Sequence, residues 1–285
     1  MKISLNTYFY IIGFSFILLI SIYFIFFCKR YKIHQNNYLN NTNIMFNDYI
    51  QTSIFLEKDN DKYVNKMSKA DLYARKCSTH NDYIKNIIKC SISFSEKEKE
   101  KLQYCAQKAD DFFKNYYYLN TFSCEDISNI KWKFALTYKN GENEYEEGLP
   151  HTREDIIFLS KYNINENIAN DTSDNHELVA LLIHEKIHIY QRYNHEIMKK
   201  IIEKLGYILV NTDMKDDLKR SNPDIDEKIY SIDGKEMVFR YKNHFPSRIN
   251  DIDSNNFSIE HPNEKMAYDI QNAYIRQNAN YMKNL

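Results

Sequence analysis

Glycine and proline are scarce in this chain, which has 285 residues but only 5 glycines and 4 prolines. Collagen-like chains, flexible linkers and turn-dense all-β folds need more of both residues, so their scarcity excludes these classes and favours helices. Apolar residues make up 43% of the chain and charged residues 27%, which permits a hydrophobic core and excludes a fully disordered protein.

A surplus of positive charge is also missing, because the chain has 38 basic and 39 acidic side chains and a net charge of −1 at pH 7. Proteins that bind nucleic acids concentrate lysine and arginine in a basic patch or stripe, and the sequence contains no such stripe. We therefore expect no nucleic-acid partner.

One long segment near the N-terminus lacks charged residues, since residues 8–27 read YFYIIGFSFILLISIYFIFF. A helix of this length spans the hydrocarbon layer of a bilayer, which is about 30 Å thick. A cleaved signal peptide has a shorter apolar stretch and a small-residue cleavage site, which the following FFCKRYK does not resemble. We therefore expect a single-pass membrane protein that is anchored by a transmembrane helix at residues 8–27.

The sequence leaves open on which side of the membrane the globular part lies. Lys29, Arg30 and Lys32 follow the apolar run, and by the positive-inside rule they favour a cytoplasmic location. An even set of cysteines is compatible with two disulfides in an oxidising compartment and equally with four free thiols. These cysteines are Cys77, Cys90, Cys105 and Cys124.

Composition and hydrophobic pattern divide the chain into four parts. Residues 1–32 contain the membrane anchor and its flank, and residues 33–52 are polar and rich in asparagine, as expected for a stalk. Residues 53–130 have a helical pattern. Residues 131–285 combine helical and strand patterns and contain the motifs that indicate a chemical function.

Strand patterns are restricted to this last part. Apolar and polar side chains alternate from residue 132 to residue 138, which predicts a half-buried strand. The sequence IIFLS at residues 156–160 predicts a second, more buried strand. Asp233-Gly234 lies between two strand-like segments and predicts a hairpin. Together with the helices, these elements predict an α+β fold with a small sheet.

The strongest helical pattern covers residues 171–206. Asp174 and Glu177 form a start that resembles a capping box, apolar residues recur at helical spacing, and Gly206 is placed to end the helix. The apolar run LVALLI lies inside this segment, so we expect much of the helix to be buried.

This helix contains an H-E-x-x-H motif, formed by His184, Glu185 and His188. Residues four apart lie about 40° apart around a helix and about 6 Å apart along it, so both imidazoles can bind one zinc ion. Glu185 is turned away from that ion and can act as general base on a water molecule that the zinc activates. The alternative, two surface histidines on an amphipathic helix, is disfavoured because buried polar groups need partners.

A zinc site of this kind needs a third protein ligand. Glu264 is the best candidate, because Pro262 is placed as the first residue of the last helix and Glu264 then lies in the first turn. Glu260 precedes the proline and is the weaker candidate, with His261 as a possible substitute. His195 lies on the same helix face as His188, but about 10 Å further along the axis, so it cannot share the ion.

The two motifs together resemble those of the gluzincin group of zinc metallopeptidases, in which H-E-x-x-H is followed by N-E-x-x-A at the start of a later helix. Asn263, Glu264 and Ala267 match the second motif, and the resemblance covers roughly residues 131–285. It implies a zincin-like catalytic part that acts on a peptide or protein substrate. It also implies one zinc ion per chain, Glu185 as catalytic base, and three metal ligands: His184, His188 and Glu264.

The resemblance further implies that the strand before the zinc helix, here IIFLS, pairs with an extended substrate. The chain departs from many gluzincins at Ile187, where a glycine is usual, and at Tyr268, where an aspartate is frequent. Stabilisation of the transition-state oxyanion needs a donor, for which the sequence offers several candidates. They are Tyr241, His244, Arg248, His151 and Tyr268.

The sequence therefore predicts a membrane-anchored zinc metallopeptidase that hydrolyses peptide bonds. One alternative is a zinc hydrolase of another substrate class, since the same ligands can serve other acyl bonds. The other alternative is a non-enzymatic, membrane-tethered interaction protein with a structural or decayed zinc site. A closed fourth coordination position would favour this last alternative, and an open cleft above Glu185 would favour an enzyme.

Overall fold

The structure is a computed structural model that describes residues 44–119, 122–137, 145–164, 175–211, 216–253 and 259–282. Residues 1–43, which include the predicted transmembrane helix at residues 8–27 and most of the predicted stalk, lie outside these ranges. Tyr138 of the predicted first strand and Asp174 of the predicted helix start lie outside them as well.

Short strands and longer helices alternate along the described chain. The strands are β1 (Ile44–Phe46), β2 (Ser91–Ile92), β3 (Tyr117–Tyr118), β4 (Phe122–Ser123), β5 (Trp132–Thr137), β6 (His151–Arg153), β7 (Ile156–Ser160), β8 (Ile208–Asn211), β9 (Ile229–Ile232) and β10 (Lys235–Met237). The helices are α1 (Tyr49–Lys58), α2 (Lys69–Ala74), α3 (His80–Ile87), α4 (Glu96–Lys114), α5 (Glu125–Ser128), α6 (His176–Tyr193), α7 (His195–Lys204) and α8 (Pro262–Met282). Two short 3₁₀ turns, Val64–Lys66 and Ile88–Cys90, and a tight turn at Tyr145–Gly148 with left-handed backbone geometry at Glu146 and Glu147 complete these elements.

The central sheet has the strand order β1-β5-β7-β6, and β2 also pairs with β5. β5 pairs in parallel with β1 and β7, whereas β6 pairs antiparallel with β7. β7 therefore has a neighbour on each side, and β6 is the edge strand next to it. Since β1 lies within the range predicted as stalk, the folded unit begins earlier in the chain than the sequence indicated.

Both faces of this sheet are buried. Phe134 of β5 and Ile157 of β7 pack on one face in the core that α4, α6 and α8 share. Ala135 and Phe158 pack on the other face against residues of the N-terminal helices. The prediction of a half-buried strand from residue 132 was therefore wrong in its burial, because helices cover the second face too.

The segment predicted as one long helix is two helices. α6 ends at Tyr193, Asn194 leaves helical geometry with φ −126° and ψ 46°, and α7 begins at His195. Gly206 does end α7, and its φ of +84° explains why glycine stands there. The hairpin predicted at Asp233-Gly234 is present between β9 and β10, which pair antiparallel.

The predicted transmembrane helix is not supported, and the fold class and single-pass localisation are corrected accordingly. Across the described ranges, no helix is both long enough and apolar enough to cross a bilayer. The longest of these helices, α4, α6 and α8, have charged side chains along their length, and a hydrocarbon layer disfavours such residues strongly. The described chain is an α+β protein.

The state of the four cysteines is also clear from the structure. No disulfide joins them to one another, and all four thiols are buried. Burial raises the pKa of Cys105 and of Cys124 to about 12, so both remain protonated at neutral pH.

One buried charge pair ties the H-E-x-x-H helix to the helical region before it. Lys186 lies between the two histidines of the motif and is fully buried. Its Nζ donates to Oδ1 of Asp110 at 2.6 Å and lies 4.1 Å from the centre of the Trp132 ring. Trp132 Nε1 donates to the other oxygen of Asp110 at 2.9 Å. Asp110 therefore compensates the charge of Lys186 and fixes α4 against α6.

We predict that Asp110→Asn lowers the free energy of unfolding by about 3–5 kcal/mol, because it leaves a buried ammonium without its counter-charge. Urea unfolding measures this difference. The control is Asp111→Asn, since the side chain of Asp111 is half exposed, and its effect should stay within about 0.5 kcal/mol. Equal effects of the two substitutions would contradict the assigned role of Asp110.

Candidate metal centre

Two helices bring three metal-binding side chains together. Nε2 of His184 and Nε2 of His188, one turn apart on α6, lie 3.0 Å from each other. Oε2 of Glu264 in the first turn of α8 lies 3.5 Å from Nε2 of His184 and 3.7 Å from Nε2 of His188. Ala267 has no exposed surface, and α8 packs along α6. These three buried side chains could hold a metal ion.

The size of this triangle suits zinc. In a tetrahedral site with bonds of about 2.0–2.1 Å, neighbouring donor atoms lie about 3.3 Å apart. The three separations in the structure, 3.0, 3.5 and 3.7 Å, lie on both sides of that value. A cation of this size therefore fits the donor set with only small movements of the side chains.

Hydrogen bonds fix the protonation of His188. Its Nδ1 lies 2.8 Å from Oε1 of Gln191, while Nε2 of Gln191 donates to the backbone carbonyl of Asn263 at 3.0 Å. The second bond fixes the orientation of the amide, so its oxygen faces the imidazole. Because an amide oxygen only accepts, Nδ1 of His188 has the proton and Nε2 presents its lone pair.

His184 has a matching arrangement, with Nδ1 at 3.0 Å from Oε1 of Gln271 on α8. When both Nδ1 atoms donate, two nitrogen lone pairs and a carboxylate oxygen of Glu264 face one another in the core. Three acceptors this close repel each other unless a cation, either a proton or a metal ion, lies between them. The donor set therefore favours a positively charged occupant.

The pKa shifts of Glu264 and His188 also favour a positively charged occupant. Burial raises the pKa of Glu264, but the imidazoles of His188 and His184 and the amide of Asn222 outweigh it and lower that pKa to about 2. Burial lowers the pKa of His188. An ionised carboxylate and a neutral imidazole are the forms that bind metals.

Glu185 lies beside the ligands without belonging to them. It is 2% exposed, and its Oε2 has no hydrogen-bond partner among the described residues. Burial raises the pKa of Glu185 well above its usual range, and the carboxylates of Asp224 and Glu264 raise it further. A raised pKa makes the carboxylate of Glu185 a stronger proton acceptor than an exposed glutamate.

Two of the three candidate ligands line a cleft of about 370 Å³, a size typical of small-molecule and cofactor sites, whereas His188 is fully buried and does not line it. His184, Glu185 and Glu264 all line it. Other parts of its wall come from the turn before β6 and from residues 220–224. The site is therefore open on one side, which by the criterion stated above favours an enzyme over a structural metal site.

The other predicted ligands have different partners. Glu260 accepts from Arg220 and, at 2.7 Å, from Asn222. His261 accepts at Nδ1 from the backbone N–H of Asn263 at 3.1 Å. His195 is exposed at the start of α7. The structure thus places Glu264, and none of these three, with the two histidines.

Two of the five candidate oxyanion donors line the cleft, namely His151 and Tyr268. The Tyr268 ring contacts the His184 ring edge-on, with 4.6 Å between their centroids. Tyr241 instead donates its hydroxyl proton to Asp71 at 3.0 Å, away from the cleft. His244 and Arg248 do not line the cleft.

The expectation that IIFLS pairs with substrate is wrong. These residues form β7, and both of its sides are already paired with strands. The strand at the sheet edge is β6, which the sequence analysis left unassigned. Gln191 and Gln271, which accept hydrogen bonds from the two imidazoles, were not predicted from the sequence either. For Gln191, the spacing of three residues after His188 on one helix face was the available signal.

Comparison with known proteins identifies no relative: no family model, no curated protein and no solved structure matches this chain. The resemblance to gluzincins therefore rests on the two motifs and on the geometry of the described residues.

We predict that Gln191→Leu weakens the binding of added zinc, used as a probe of this metal centre, by about 10–100-fold, because His188 loses the partner that fixes its proton on Nδ1. Competition with a chelator of known affinity measures this change. Gln191→Glu retains an acceptor oxygen and should lose less, and Gln107→Leu on α4 is the control far from the site. Unchanged zinc affinity in Gln191→Leu would refute the role of this hydrogen bond.

We also predict that Glu264 and Glu260 have different roles, the first in metal binding and the second in stability. Glu264→Ala should abolish the binding of added zinc, which we expect at about one equivalent per chain in the wild type, because it deletes a candidate ligand. Glu260→Ala should keep the zinc but lower the free energy of unfolding by about 3–5 kcal/mol, because Arg220 loses its buried partner. Metal analysis and urea unfolding of both variants separate the two effects. Zinc loss in Glu260→Ala alone would refute the ligand assignment.

Proposed function

We propose that this protein is a zinc-dependent metallopeptidase. The observation that carries the proposal is the convergence of His184, His188 and Glu264 on one point, with Glu185 beside them at the same cleft. Two imidazoles and one carboxylate are a frequent ligand set of catalytic zinc, which keeps a further position open for water or substrate. Calcium and magnesium prefer oxygen ligands alone, so the two imidazoles favour zinc over them.

In this proposal, a zinc ion held by the three ligands supplies Lewis-acid chemistry, polarising a carbonyl and lowering the pKa of water toward about 7. Glu185 accepts the proton of the attacking water at its unpartnered oxygen and delivers it to the leaving amine. Gln191 and Gln271 hold the two imidazoles in the orientation and tautomer that the metal requires.

The peptide substrate class is supported by the resemblance to gluzincins and by the size of the cleft. Its walls combine polar side chains, such as Asn222 and Asp224, with apolar ones such as Leu181. A peptide group, with one donor and one acceptor between apolar side chains, suits such a mixed surface.

The decisive test is Glu185→Gln in the full-length protein. Glutamine is nearly the same size as glutamate and is not a metal ligand here, so the variant should fold and retain its zinc. It cannot accept a proton, so kcat for peptide hydrolysis should fall about 10²–10⁴-fold. The rates of wild type and variant are compared at equal zinc occupancy on a broad peptide library.

Each outcome of this test has a clear meaning. A zinc-loaded but nearly inactive Glu185→Gln variant supports the proposal. Equal rates would exclude Glu185 as general base. If zinc-loaded wild type cleaves no peptide but hydrolyses other acyl compounds, the substrate class is wrong. If it hydrolyses neither, the metal has a structural role and the protein is not an enzyme.

A further inference from the structure

The edge strand beside the metal centre determines how a peptide can enter the cleft. β6 pairs with β7 in antiparallel register, with Thr152 opposite Ile157. In such a pair, successive residues direct their N–H and C=O groups alternately toward the partner strand and away from it. The backbone groups of Thr152 point away from β7, since both bind side chains outside the sheet. An added substrate strand would need these groups.

Both backbone groups of Thr152 are already occupied. Its N–H donates to Oδ1 of Asp224 at 2.6 Å, and its carbonyl accepts from Nη2 of Arg192 at 3.2 Å. The neighbouring outward-facing residues, Pro150 and Glu154, offer few free backbone groups for hydrogen bonding. Pro150 has no N–H, and the carbonyl of Glu154 accepts from Nη1 of Arg192 at 2.6 Å. Three outward groups along β6 are therefore occupied and a fourth, the N–H at Pro150, is missing, so this edge is a poor template for strand addition.

The residues that cover this edge are fixed to the rest of the fold. We call residues 220–224 the wall segment, because all of them line the cleft. Ser221 of the wall segment donates from N and Oγ to Asp71 at 2.9 and 2.7 Å. Arg192 donates to the carbonyl of Pro223 at 2.8 Å, and Asn222 donates to Oε1 of Glu264 at 3.0 Å. The wall segment is thus bound to a helix of the N-terminal region and to both helices of the metal centre.

We propose that the site takes short peptides of a few residues and excludes the interior of a long extended chain, with Asp224 and Arg192 as the residues that determine this specificity. The inference rests on the proposed peptidase function. A long chain would have to displace charge-assisted hydrogen bonds at Thr152 and Glu154, which are stronger than the neutral ones it could form in return. A short peptide fits the cleft of about 370 Å³ without adding to the sheet.

The test compares the best short peptide substrate with the same sequence placed in the middle of a long unstructured chain. Zinc-loaded wild type should have a kcat/KM for the short peptide that is about tenfold higher or more, since each displaced charge-assisted bond accounts for roughly that factor. Asp224→Ala frees the N–H of Thr152, so it should bring the two kcat/KM values closer together. Asp224→Asn retains an acceptor oxygen and should keep the preference.

Two further variants keep the test decisive. Glu227→Ala is the matched control, because Glu227 follows the wall segment closely but is exposed and does not line the cleft. If Asp224→Ala does not fold, Arg192→Gln replaces it, since that substitution frees the carbonyls of Thr152 and Glu154.

The outcomes separate this inference from the proposed function. Equal kcat/KM for short and long substrates in wild type overturns the inference and leaves the peptidase function intact. An unchanged preference in both the Asp224 and the Arg192 variant overturns the role of the covered edge. If zinc-loaded wild type cleaves no peptide of either length, the proposed function fails and the inference fails with it.

Discussion

Electrostatic repulsion among three buried acceptors is the constraint on which the rest of the site depends. Nε2 of His184, Nε2 of His188 and a carboxylate oxygen of Glu264 meet inside the core, where a low dielectric strengthens both repulsion and attraction. Such a cluster is stable only with a cation between its members. Gln191 makes the constraint stricter, because it holds the proton of His188 on the nitrogen that faces away from the cluster. The close packing of α8 on α6 therefore gains stability from whatever cation the site binds.

The sheet limits how a ligand can approach this cluster. β7 is paired on both sides and buried on both faces, so its backbone offers nothing to a ligand. β6 is the edge strand, and Asp224 and Arg192 cover its outward groups at Thr152. The same sheet in an enzyme for long polypeptides would need a free edge at this place.

The sequence predicted the local parts of the site well and the long-range parts poorly. The four-residue spacing of His184 and His188 and the placement of Pro262 both follow from helix geometry, which is local, and the structure has α8 starting at Pro262. The break at Asn194 was missed because hydrophobic periodicity continues across it, and a pattern of period 3.6 does not report a kink. The hydrogen bonds of Asp224 could not be predicted from the sequence, since its partner Thr152 is distant in sequence and only the folded chain brings the two together.

The scarcity of glycine has a consequence at the rim of the cleft. Glu146, Glu147 and Gly148 have φ values of 48°, 55° and 76°, so two of three successive left-handed positions are occupied by glutamate. Each such non-glycine residue costs about 1–3 kcal/mol unless its surroundings hold it in place. Glu146 is held by a buried ion pair with Arg75 at 2.6 Å and by the hydroxyl of Tyr83 at 2.5 Å. A glycine at position 146 would relieve the backbone strain but would remove the closer of the two carboxylates that pair with the buried guanidinium of Arg75, the other being that of Asp71. The strained turn therefore persists because the side chain of Glu146 connects the rim of the cleft to Arg75 and Tyr83 in the N-terminal helical region.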